Sequence, residues 1–347
     1  MLKKIHIKDP AFETLVRKKL KKETGEITNE DMAKIEKFNG VIVITPFPEN
    51  VVLNENHDEI AAVSDISGIE YCVNIQALSI KAETDNGCAE LVPGVIENIC
   101  RLKSLKHLFI KGDVIRHIEW LSELTSLETL QMFNMDIFEP KTLGELTRLI
   151  DILVADSKLE GIDWIYKAVK LKKLDLINVS IPEKLSFGGL KELSYFNVSS
   201  NIRTISLYDL PKLERAAFWL EKADDISTIG KFTTLKSLAI TACHKIDITP
   251  VLALKELKNL HIGKNTIDDF EVIQEISGLE SLSITQNNIS DLRPLLSLPK
   301  LKFLSLFNCV IGDIETLKEL SKSVSLSLNK NKTPSGELID GKIIGCV

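Results

Sequence analysis

Apolar residues recur along this chain in the order L-x-x-L-x-L, and the first residue of that order keeps strict time. It falls at Leu105, Leu127, Leu149, Leu171 and Leu193, each step being 22 residues. After one step of 20 it resumes at Leu213, then at Leu235, Leu257, Leu279 and Leu301, again at steps of 22. Ser323 holds the next mark and is followed in phase by Leu326 and Leu328. An earlier copy opens at Ile75 and a degenerate one at Phe38. A fixed period of this length is the signature of a repeat architecture. Each copy predicts one short strand, with residues such as Leu279, Leu282 and Ile284 pointing into a shared core. Neighbouring copies supply parallel strand pairing, so no copy has to bury its apolar side alone.

The second half of each copy has its own beat. Ile226, Ile229, Phe232 and Leu235 recur every three residues, as do Ile248, Val251, Leu254 and Leu257, and Leu292, Leu295, Leu298 and Leu301. A period of three suits 3₁₀ turns or short irregular helix better than a long α-helix. Between the two halves the chain must turn off the strand. Asn287, Asn265 and Asn201 stand at that corner, where an inward amide can satisfy backbone groups left by the turn. Asp113, Cys243 and Cys309 occupy the same position. Met135, Ser157 and Val179 depart from it and predict less regular turns in the early copies.

The best copies read LESLSITQNNI from Leu279 and LKNLHIGKNTI from Leu257. In these residues the sequence resembles bacterial leucine-rich repeat proteins of the internalin type, and the resemblance covers most of the chain. It implies an α/β solenoid: a right-handed leucine-rich repeat horseshoe or arc, with a parallel concave β-sheet and short 3₁₀ or irregular convex segments. The family allows Cys at the corner, so Cys243 and Cys309 are read as structural core thiols.

Such an array exposes apolar surface at its ends unless it is capped. Residues 1–37 are read as a helical N-terminal cap, which also fits the resemblance. Asp9 is a candidate helix cap with Pro10 at the first helical position. Phe12, Leu15, Val16 and Leu20 form an apolar stripe, and Gly25 is taken as the helix end. Thr28 and Asp31 resemble a capping box for a second helix carrying Met32 and Ile35. Residues 38–332 form the solenoid, with irregular insertions at 46–65 and 82–101. Residues 333–347 lose the repeat and form a closing segment or tail, with no clear helical cap.

Composition narrows the class. The 347 residues carry 43 Lys+Arg against 49 Asp+Glu, a formal net charge of −6 that gives no support to nucleic-acid binding. Hydrophobic residues are 44% but aromatics only 6%, so the apolar fraction is largely the Leu and Ile of the repeat. No apolar run reaches the length of a membrane-spanning helix. The basic start, MLKK, lacks the apolar run of a signal peptide. Two locations are compatible: cytoplasmic as the sequence stands, or secreted or at the cell surface if a leader has been removed. The six cysteines are scattered without a CxxC, which predicts reduced thiols and no zinc or dithiol site.

Strand side chains alternate, so residues two, four and six places after each mark face outward. The first column holds His107, Thr129, Asp151, Lys173, Tyr195, Arg215, Asn259 and Phe303. The second holds Phe109, Gln131, Leu153, Asp175, Asn197 and His261. The third holds Lys111, Phe133, Ile177, Trp219 and Phe307. Core packing does not require aromatics there. Phe109, Phe133, Leu153, Asp175 and Ile177, with Lys173, Tyr195, Arg215 and Trp219, form an apolar group rimmed by charge and are the candidate partner-binding residues. The competing reading packs Phe109 and Trp219 inward or against a neighbouring copy. Phe303 and Phe307 make a second candidate, and the serines and alanines between are bland.

No catalytic, cofactor or metal site emerges. His107 and His261 lie 154 residues apart, on distant copies. No HExxH, Gly-rich phosphate loop or G-x-S-x-G occurs. His244 follows Cys243, but an inward Cys243 argues against a Cys/His dyad. The sequence therefore predicts a non-enzymatic module whose concave face binds an unidentified protein or peptide. It is read as monomeric, with no nucleic-acid partner and no transmembrane insertion. The alternatives are a self-associating surface scaffold or a carbohydrate-binding protein.

Overall fold

The computed structural model describes residues 1–38, 40–44, 61–82, 93–112, 117–220, 225–242, 247–264 and 270–339. The chain forms two compact units. The first comprises Met1–Leu171 and Asp175–Ile181, the second Lys172–Leu174 and Pro182–Val347.

The first unit begins with the helical cap. Helix α1, Pro10–Leu20, starts at Asp9, whose carboxylate accepts the N–H groups of Ala11 and Phe12. The other oxygen of Asp9 accepts the N–H and hydroxyl of Ser64, so one side chain fastens the cap to a segment 55 residues on. Phe12, Leu15 and Val16 are buried, as their stripe predicts. The helix ends earlier than Gly25: Lys21 adopts a left-handed conformation, φ 53°, and closes it directly after Leu20. Helix α2, Asn29–Met32, opens with the capping box of Thr28 and Asp31.

Strands Ile42–Ile44, Ala77–Ala82, His107–Lys111, Thr129–Phe133 and Asp151–Ala155 then pair in parallel, each with the next. The two insertions contribute ordered elements. Ala61–Val63 pairs with the other side of Ile42–Ile44, so the end of the first insertion becomes a parallel strand there. The second insertion ends in helix α3, Pro93–Cys100, which buries Val95 and Ile99. Residues 46–60 and 83–92 of these insertions lie outside the described residues.

The return segments explain the period of three. In the second unit the N–H of Val251 donates to the carbonyl of Ile248, Leu254 to Val251, and Leu257 to Leu254, at 2.9–3.1 Å. Each apolar residue is thus both a core contact and a rung of a 3₁₀ turn, where residues three apart eclipse. The same arrangement recurs in Ser227–Lys231 and Arg293–Ser297 of that unit, and in Glu119–Glu123, Pro140–Glu145 and Asp163–Lys167 of the first.

Parallel strands Tyr195–Ser200, Arg215–Leu220, Ser237–Ala242, Asn259–Gly263, Ser281–Thr285, Phe303–Phe307 and Ser325–Asn329 line the second unit. Two of its return segments differ. Lys184–Gly188 and Thr204–Tyr208 are extended and pair in parallel. They run so close that a side chain at Gly188 would collide with the backbone and ring of Tyr208. The copy of 20 residues contains the second of these strands. The copy from Leu171 has an equally long extended return and keeps 22 residues, so the shortening lies in the corner between lining strand and return. The lining strands keep full register across it, Tyr195 opposite Arg215 through Ser200 opposite Leu220.

At its end the second unit closes on itself. Helix α4, Ile314–Leu320, replaces the 3₁₀ turn and is capped by Asp313, which accepts the Thr316 N–H. Asn331–Lys332 then pairs antiparallel with Leu338–Ile339 through a turn at Gly336. Residues 340–347 lie outside the described residues.

The corners correct one expectation. Met135, Ser157 and Val179 do not mark irregular turns. The residue before each, Asn134, Asp156 and Asn178, adopts φ 49–52°, matching Lys264, Gln286, Asn308 and Lys330 at φ 54–56°. Short polar residues reach this left-handed region at least cost after Gly. Asn134 and Asp156 donate their N–H to the carbonyl at the end of the following strand, as Gln286 and Asn308 do. Asp113, Cys243, His244 and Asn265 lie outside the described residues.

Candidate functional site

Alternation places every candidate on the outward side of its strand, within one unit or the other. In the first unit, Phe109 and Phe133 pack ring against ring at 5.2 Å with planes tilted by 33°. Both are half-buried, as is Leu153. Phe109 thus leans on a neighbouring copy, as the competing reading had it, yet stays on the outward side. Ile177 is 36% exposed. Asp175 is the exception: only 3% of it is accessible, so it is no open rim charge. Alternation decides the side of the sheet but not the access, and a short side chain between strands about 4.8 Å apart is easily overhung.

In the second unit, Tyr195 lies between two cations. The Lys173 ammonium is 5.4 Å and the Arg215 guanidinium 5.2 Å from its ring centre. Contacts of this kind orient the ring and both cations together. Trp219 follows Arg215 on the same strand and is 48% exposed. It does not pack inward; its neighbours Phe218 and Leu220 do. Farther along this unit Phe303 is 58% and Phe307 37% exposed, with the Lys330 ammonium 5.6 Å over the Phe307 ring.

The intervening strands are less bland than their serines suggest. His261 Nδ1 lies 3.0 Å from the Ser283 hydroxyl, and burial pulls the pKa of this imidazole down. Gly263 beside it leaves a bare position where any Cβ would press on the hydroxyls of Thr241 and Thr285 at 2.8 Å. Periodicity alone does not signal this pairing, because it depends on which side chains meet across copies.

Among the described residues the buried thiols Cys72 and Cys309 are held protonated. Cys309 Sγ donates to the carbonyls of Ile284 and Phe307 at 3.5 Å, the corner role expected of it. Burial raises its pKa. Burial, with Glu70 nearby, pushes Cys72 up to about 12. A thiol held protonated is a poor nucleophile. Among the described residues no cluster of three His, Cys, Asp or Glu side chains can hold a metal, and no helix is long and apolar enough to cross a membrane.

Residues 277–319 match the family model for paired leucine-rich repeats. No curated protein sequence matches the chain. Among solved structures, an internalin, InlF, from Listeria monocytogenes aligns at 22% identity over 97% of this chain and 92% of its own, with a TM-score of 0.67. A leucine-rich repeat protein of Leptospira interrogans aligns at 20% identity over 88% of this chain and 75% of its own, TM-score 0.62. The functional domain of InlJ from Listeria monocytogenes aligns at 14% identity over 94% and 81%, TM-score 0.50. With the 22-residue register and the 3₁₀ returns, these likenesses show the leucine-rich repeat solenoid fold, similar to that of the bacterial internalin-type solenoids.

Proposed function

We propose that the chain is a non-enzymatic module that binds a protein or peptide through the outward face of its strands. The observation that carries this is Trp219. It stands 48% exposed on a strand hydrogen-bonded to neighbours on both sides. A large aromatic held rigidly in water contributes nothing to the core and loses little freedom when a partner covers it. Tyr195 is a further anchor in the same unit, and Phe133 and Ile177 are the anchors of the first unit taken by itself.

The test is capture of a partner from cells of the source organism, followed by affinity measurement with variants. Trp219→Ala is expected to weaken binding at least tenfold while the thermal melt is unchanged. Phe133→Ala weakens it too, with a small loss of stability because Phe133 supports Phe109. Wild-type affinity in Trp219→Ala, with a large fall in melting temperature, would overturn the assignment.

Self-association is the second reading, and one observation favours it. Leu326 and Leu328, on the last lining strand, are half-buried where their counterparts Leu304 and Leu306 are closed to solvent. Light scattering over a concentration range decides it; a strict monomer removes this reading.

A further inference from the structure

The outward strand face of the second unit differs in charge from the chain that carries it. Asp and Glu outnumber Lys and Arg by 49 to 43 over the whole sequence. Yet none of the seven lining strands from Tyr195–Ser200 to Ser325–Asn329 contains a carboxylate. Cations are present: Arg215 within a strand, and Lys264 and Lys330 at the ends where strands turn off. Among the described residues Lys264 and Lys330 form no ion pair, and Arg215, at the start of its strand, has only the electrostatic influence of Glu214 beside it.

The opposite ends of the same strands show what compensation looks like. Lys236 pairs with Glu214 at 2.6 Å, and Lys302 with Glu280 at 2.7 Å. Charges along that edge are matched, whereas among the described residues Lys264 and Lys330 at the turn edge form no ion pair. Unmatched cations on a face without carboxylates favour a negatively charged occupant.

Shape points to the class of occupant. One row across the strands runs Trp219, Thr241, Gly263, Thr285, Phe307, each opposite the next. Its outer members are exposed aromatics, four strand spacings or roughly 19 Å apart. Its middle is small, and Gly263 has no side chain. The row is a trough with an aromatic wall at each side, Lys330 over the ring of Phe307 and Arg215 at the far end of the strand that carries Trp219. Its width admits an extended or helical peptide segment, a helix with side chains being about 10–12 Å across.

We infer that this trough binds an acidic peptide segment of a partner protein, its carboxylates meeting Arg215, Lys264 and Lys330 and its apolar side chains meeting Trp219 and Phe307. The inference rests on the binding role proposed above and adds the chemistry of the partner.

A phage-displayed random peptide library panned on the full chain tests it. The expected result is enrichment of peptides rich in Asp and Glu with an aromatic or aliphatic anchor. Synthetic copies should lose roughly tenfold in affinity with Arg215→Glu, and a similar factor with Lys264→Glu plus Lys330→Glu. Raising salt to about 0.5 M should weaken them as well, since exposed charges are screened within a few ångströms there. Trp219→Ala should abolish binding, with unchanged melts throughout. Enrichment of neutral or basic peptides that still depend on Trp219 would overturn the acidic preference and leave the binding role standing. Peptides bound equally by Trp219→Ala, no enrichment, or capture of neutral glycans instead on an array would overturn the inference.

Discussion

The corners of the two units solve one problem with different side chains. In the second unit Asn331 is fully buried; its amide donates to the Leu306 carbonyl at 2.8 Å and its oxygen accepts the Cys309 N–H at 2.9 Å. Asn287 donates to the carbonyls of Thr285 and Ile262. In the first unit Ser157 does a smaller version of this work, accepting the Met135 N–H at 3.0 Å and donating to the Ala155 carbonyl. Met135 and Val179 are apolar and buried. Yet the turns have the same shape. The left-handed residue ahead of the corner bends the chain; the inward side chain satisfies what the bend leaves over. Shape and satisfaction are separable, since the bend ahead of Met135 and Val179 forms without an inward amide.

That separation can be broken most directly at Asn331. Asn331→Leu removes partners from two buried backbone groups, at roughly 1–3 kcal/mol each. Chemical denaturation should show a loss of about 2–6 kcal/mol, while Ser157→Ala, with one N–H to orphan, loses about 1–3 kcal/mol. Equal losses would show that the two corners depend on their side chains alike. A smaller effect is expected at the bend itself. Asn134→Val and Asn308→Val each place a β-branched residue at positive φ and should cost about 1–2 kcal/mol in both units. A cost in one unit alone would deny that they share a bend.

Acid should act on the first unit through its cap. Backbone and Ser64 hydrogen bonds hold the Asp9 carboxyl below its usual range, against the opposing effect of its burial. Hydrogen bonds from Lys22, Lys34 and Thr28 hold Asp31 far below it. A carboxyl depressed in the folded state contributes stability above its unfolded pKa, near 4, and loses it as pH falls through the folded value. Hydrogen-exchange protection in α1 and α2, taken against the intrinsic exchange rate at each pH, should therefore fall below about pH 4. Protection that stays constant in that range, or the same profile in Asp31→Asn, would contradict it. The smallest expected effect is chemical: the thiols of Cys72 and Cys309 should resist alkylation at neutral pH while half-buried Cys100 reacts first.

The sequence was most legible where one residue repeats one role. The inward leucines, the period-three returns and the capping box of Thr28 and Asp31 are local or periodic, and they appear as read. The site was legible as a set of outward positions, because alternation is a property of the strand. What could not be read was access. Asp175 is outward and closed, Trp219 outward and open, and the difference lies in neighbours that no period specifies. The end of α1 escaped for a related reason: Lys21 takes the left-handed residue's place although its type does not announce it. Asn331 was equally readable at its corner, eight places after Ser323, but the weak mark there hid it.

The short copy carries a consequence for inheritance. Its two missing residues came out of the corner between lining strand and return, and the pairing of Tyr195 with Arg215 was untouched. A change of one residue within a lining strand would instead swap every following side chain between core and solvent. Duplication, loss and trimming are therefore free to rework the corners and back of such a chain while its front keeps its alphabet. Lineages of this protein should differ in the number and length of their corners and returns long before they differ in the phase of the residues that meet a partner.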